Sequence, residues 1–205
     1  MPDHLFQPWF VELLSVVSNL AVGVSAIFAA VLAFSGLRQW RAELVGRTRF
    51  DLARRIAKLA YQFQDQMHSA RFPFTMPGEA ANRERAEGES PELTAVEDEM
   101  FARFERLRPV RDTVRDLHEA GWEAEIALDP EVTRLIKRIE EVSVQARTAA
   151  YRHFGRAREA AKNNQPLEEP TGGQRIVYGE RNDEFGQVID QAVDNLVHSL
   201  KTYIR

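Results

Sequence analysis

Cysteine is absent from all 205 residues. That one absence excludes disulfides, thiolate nucleophiles, iron–sulfur clusters and thiolate zinc sites, and it fits a reducing compartment. Histidine is scarce. The five imidazoles stand singly at positions 4, 68, 118, 153 and 198, with no pair at helical ligand spacing, so no metal and no cofactor is expected. The motifs that carry common chemistries are missing too. Gly172-Gly173 has no following Lys-Ser/Thr to make a phosphate loop, and neither G-x-S-x-G nor H-E-x-x-H occurs. The acidic pairs Glu140-Glu141 and Glu123/Glu125 read as solvated helix faces. The residues therefore assign no enzyme class. With a net charge of −4 there is no overall basic field to recruit nucleic acid.

Charge is missing in a second, more telling way. No Asp, Glu, Lys or Arg occurs in residues 13–37, where the only strongly polar side chain is Asn19. A helix over these residues would be about 37 Å long, enough to cross a hydrocarbon core of about 30 Å with some tilt. The segment reads as a transmembrane helix with the lipid bilayer as its partner. A cleaved signal peptide is the competing reading, with Ala33-Phe34-Ser35 as a cleavage site. However, the apolar run is too long for a signal core, and the residues before it include Asp3 and Glu12 but no Lys or Arg.

Basic residues cluster only on the far side of the run, at Arg38, Arg41, Arg47 and Arg49. The positive-inside bias then puts residues 1–12 outside, residues 13–37 across the membrane and residues 38–205 in the cytoplasm, as in a single-pass protein of a bacterial inner membrane. Trp9 and Trp40 bracket the run where interfacial rings are expected, with Arg38 and Arg41 beside the second. Within it, Ala21, Ser25, Ala29 and Ala33 recur every four residues. Small side chains at that spacing let helix backbones approach in lipid, and Asn19 adds an interhelical hydrogen-bonding group. This face predicts a homo-oligomer.

Beyond the run the helical period resumes at once. Leu52, Ile56, Leu59, Phe63 and Met67 form one stripe, so the membrane helix is expected to continue as a stalk to about residue 70, where Pro73, Pro77 and Gly78 stop it. Residues 78–91 (GEAANRERAEGESP) are charged and lack large apolar side chains, which reads as an exposed, mobile loop. A second helix begins near Glu92, with Pro109 inside it. Asp129-Pro130 caps and starts a third that ends near Lys162, and Asp183 caps a last one. Loops are expected near residues 71–92 and 163–182. Gln174 to Tyr178 could form a short strand. The fold class is all-α: one transmembrane helix continuing into a cytoplasmic bundle of about four long helices.

One spacing bears on chemistry. In HEPN ribonucleases an Arg and a His four to six residues apart hold and cleave RNA, the cation binding phosphate and the imidazole moving protons. Arg147 and His153 have five residues between them, and Arg111 and His118 have six. With 23 arginines and five histidines, about one to two such pairs arise by accident. Spacing alone makes them candidates only.

In layout the chain resembles bacterial single-pass membrane proteins with a cytoplasmic helical domain, including the HEPN-like membrane accessory protein of type VI-B CRISPR systems. The resemblance rests on length, the N-terminal membrane helix, the Leu37-Arg38-Gln39-Trp40 exit and the Arg147/His153 spacing. It implies a pore-forming assembly that perturbs the membrane in antiviral defence. Two other readings stand beside it. One is a membrane-tethered scaffold or sensor that binds a cytoplasmic protein partner, and the other is an HEPN-like ribonuclease.

Overall fold

The computed structural model describes residues 8–166 and 172–204. It is all-helical among them: α1 (Pro8–Arg71), α2 (Pro91–Ala127), α3 (Pro130–Lys162), the short α4 (Gly172–Val177) and α5 (Glu184–Ile204). The chain divides into two compact units, Met1–Thr48 and Arg49–Arg205, and α1 contributes to both.

In the first unit every side chain described between Glu12 and Thr48 is exposed. An uncharged apolar helix needs a solvent of its own kind, and this one is long and apolar enough to cross a membrane. Three of the four serine hydroxyls in residues 13–37 are satisfied internally. Ser15 donates to the Glu12 carbonyl at 2.9 Å, Ser25 to Ala21 at 2.7 Å and Ser35 to Leu32 at 2.9 Å. Such back-bonding hides a polar group that lipid could not solvate.

The second unit is built on the predicted stripes. Leu52, Ile56, Phe63 and Met67 of α1 are buried with Leu117 of α2, Ile136 and Ile139 of α3, and Ile189, Leu196 and Leu200 of α5, in one core. A satellite cluster forms from Ala149, Ala150, Phe154 and Val177, flanked by Met100, Phe104 and Tyr178. The caps fall where the residue types demanded. Asp129 accepts from the Glu131 N–H at 2.9 Å, and Asp183 accepts from the Gly186 N–H at 2.6 Å. Pro109 lies on the exposed side of α2, which runs straight through it in sequence.

One expectation is overturned. Gln174, Arg175, Ile176 and Val177 are helical, not a strand. Their β-branched and aromatic composition suggested pairing, but no strand occurs among the described residues to pair with. The carbonyls of Arg175 and Ile176 are taken instead by the Arg71 guanidinium, at 3.1 and 2.9 Å.

The charges of residues 78–91 have a structural use as well. Arg83 donates to Glu89 at 3.0 and 2.6 Å and to Asp98 at 2.5 Å, and Arg106 reaches back to Glu79 and to the carbonyls of Phe72 and Phe74. The Arg83 guanidinium pulls the Glu89 carboxyl down to about 2.

Between α1 and α5, Asp190 Oδ1 lies 2.6 Å from Gln64 Nε2 and 2.7 Å from His68 Nε2. Burial pushes its carboxyl upward, but the hydrogen bonds from His68 and Gln64 outweigh that, and the net shift is downward. A depressed folded pKa contributes stability that is present above the unfolded value of about 3.9 and is lost as pH falls through the folded one. Asp190→Asn should therefore unfold at lower urea than the wild type at about pH 6, with the gap closing towards pH 3. A gap that persists unchanged at acid pH would show that the carboxylate charge contributes nothing.

Candidate functional site

Four residues of α2, Glu92, Val96, Glu99 and Arg103, follow the three-and-four spacing of one helix face. Opposite them α3 presents His153 and Phe154, then Ala157, Ala160 and Ala161. The alanines are too short to fill the space between the helices. A cleft of about 560 Å³ results, closed at its edges by Pro73, Gln165, Gln174 and Tyr178. That volume is in the range of small-ligand sites.

Two buried arginines set the walls. Arg71 takes both Asp183 oxygens at 2.9 and 2.7 Å, lies 5.0 Å from the Phe185 ring centroid, and with its two bonds to α4 holds the end of α4 against the start of α5. The Gly179 N–H donates to the Arg71 carbonyl at 3.1 Å, which pins the residue next to Tyr178. A Cβ there would sit 1.6 Å from Asp183 Oδ2 and 2.4 Å from Arg71 Nη2, so any larger residue must displace the Arg71–Asp183 pair. Arg103 is 2 % exposed and donates to the carbonyls of Ala70 at 2.5 Å and Phe72 at 2.8 Å, where α1 ends. Its guanidinium carbon lies 4.6 Å from the Tyr178 ring centroid.

Three rings meet at the cleft wall. His153 lies edge-on to Phe154 (5.0 Å, 72°) and to Tyr178 (5.2 Å, 84°). Burial lowers the His153 pKa, with Arg156 and Arg103 adding to the effect against Glu99, so the imidazole is neutral near pH 7. Tyr178 is pushed the other way, chiefly by burial and then by the nearby Glu99 carboxylate. The site therefore holds a neutral imidazole, a protonated phenol and a carboxylate within one cluster. His153 is 7 % exposed, and no hydrogen bond engages its ring nitrogens among the described residues.

The other sequence candidates lie elsewhere. Arg147 is exposed on α3, about 120° around the helix from His153 by the 100° step per residue, and no contact joins the two. Arg111 is exposed beside Asp112 at 3.8 Å. His118 is half exposed, with Nδ1 2.8 Å from Glu140 and its ring edge-on to Trp122 at 5.1 Å, and it does not meet Arg111. Among the described residues no three His, Asp or Glu gather as a metal site. Asn19, Ala21, Ser25, Ala29 and Ala33 are all exposed on α1, as are Trp9, Arg38, Trp40 and Arg41.

Glu99, Arg103 and Tyr178 were not singled out in the sequence. A signal existed for the arginines: Arg71 follows Met67 by four on an apolar stripe, and Arg103 sits between Met100 and Phe104 on another. No family model, curated protein or solved structure matches the chain.

Proposed function

We propose that the chain is a single-pass membrane protein, anchored with its N-terminus outside and a helical bundle in the cytoplasm of a bacterial cell, that acts as a homo-oligomeric effector perturbing the membrane. The observation that carries the reading is that every residue of the uncharged apolar run 13–37 is exposed. A soluble domain does not leave such a helix bare, and lipid is the solvent that fits it. Oligomerisation through Ala21, Ser25, Ala29 and Ala33 follows from close backbone approach, with the Ser25 hydroxyl folded back on Ala21 and out of the way. A pore in antiviral defence is what the layout resemblance adds.

The test is the mass of the full chain in mild detergent, beside a Ser25→Leu/Ala29→Leu variant, with ion leakage followed in cells expressing each. The expected result is a discrete oligomer that the paired substitution reduces to the protomer, with leakage abolished. A monomer in both cases would refute the effector.

A second reading is favoured by one surface. Trp122 is 62 % and Ile126 90 % exposed, one turn apart on α2 beside His118. Exposed apolar side chains of that size suit a tethered scaffold binding a cytoplasmic protein.

A further inference from the structure

We infer that the cleft between α2 and α3 is a binding site for a small organic cation, a protonated amine carried on an apolar body. The inference does not rest on membrane insertion or oligomerisation.

The cleft offers two carboxylates, Glu92 and Glu99, and no lysine or arginine among the residues that line it. Arg103 is near, but its guanidinium lies against the Tyr178 ring, with Nη1 on the Ala70 and Phe72 carbonyls and Nε and Nη2 buried away from solvent, and it does not line the cleft. An anionic ligand would meet two like charges with no cation to hold it, so phosphates and carboxylic acids are selected against. The rest of the lining is largely apolar or aromatic, from Val96 and Phe154 to the alanines of α3. It accommodates a hydrocarbon or aryl body.

His153 is the second, independent pointer. It faces the cleft with more than nine-tenths of its surface covered, yet nothing described bonds its ring nitrogens. Its ring nitrogens keep a narrow opening onto the cleft, so a ligand seated there can supply the bond that the protein does not. A neutral imidazole accepts a hydrogen bond at one nitrogen, as an ammonium requires. Glu99 lines the same cleft and offers its carboxylate oxygens to the same cation. The exposed Glu92 and Gln165 mark the mouth through which a ligand would enter.

Tryptamine and indole-3-acetate share one aromatic body and differ in the sign of their charge, so they serve as paired probes. Each is titrated calorimetrically into the full chain in detergent, and the His153 imidazole nitrogens are followed by NMR. Tryptamine should bind at least about tenfold more tightly than indole-3-acetate and shift the His153 resonances. Glu99→Gln should remove that preference, and Glu92→Gln, at an exposed position that does not threaten folding, should reduce it. Binding of neither probe, equal binding of both, or tryptamine binding that leaves the His153 nitrogens unmoved would each overturn the assignment.

Discussion

Replacing Arg103 by methionine is expected to lower the melting temperature of the folded domain by about 2–4 °C. The substitution keeps a long side chain of similar volume, so the packing against Tyr178 survives in part. What goes is a pair of donors to two carbonyls at the end of α1, those of Ala70 and Phe72. The Phe72 carbonyl keeps its Arg106 donor, so one buried acceptor, that of Ala70, is left without a partner at a cost of about 1–3 kcal/mol. Against this stands a gain, since a buried guanidinium is itself costly and its pKa is lowered by burial here. Netting the two gives about 1 kcal/mol of destabilisation, and a domain of this size loses about 2–4 °C per kcal/mol. Thermal unfolding by circular dichroism decides it. A methionine variant as stable as the wild type would mean that the cost of burying the charge cancels the value of the cap.

The larger effect is expected in the apolar run. Val24→Lys with Phe28→Lys places two ammonium groups near the middle of residues 13–37. At the centre of a spanning helix each costs about 2.5–3.5 kcal/mol on insertion scales, so the pair opposes insertion by about 5–7 kcal/mol. The wild-type chain should stay with membranes through alkaline carbonate extraction, and the double variant should move to the supernatant or aggregate. The same two changes at Glu125 and Glu141, on the exposed surface of the folded domain, should leave partition untouched. If the Val24/Phe28 variant remained carbonate-resistant, the exposed helix would need some other cover than lipid.

How far these features were legible in the sequence depends on distance along the chain. Starts and stops of helices are local chemistry. Asp129-Pro130 and Asp183 announced α3 and α5, and the structure uses both carboxylates as caps. The stripe from Leu52 to Met67 announced which face of α1 would be covered. The segment from Gln174 to Val177 misled because its residue types favour a strand, while its actual conformation is decided by Arg71, more than a hundred residues earlier. The candidate site failed for the same reason. His153 was noticed for its spacing from Arg147, which faces away, whereas its real neighbours come from two distant stretches, Glu99 and Arg103 on α2 and Tyr178 after α4. No period or motif connects residues that meet only after packing. The one available hint was a charge standing on an apolar stripe.

The contacts of α1 with α5 also bear on how the chain is made. Phe63 and Met67 share a core with Ile189, Leu196 and Leu200, and Arg71 closes on Asp183 across 112 positions. Helix α5, made after the other described helices, thus covers the stripe of α1. Until it emerges, the growing chain carries a bare hydrophobic ridge, and such non-local closure is slow. A nascent chain halted before residue 184 would present that ridge to chaperones and proteases, so the arrival of α5 doubles as a checkpoint for the folding of this domain.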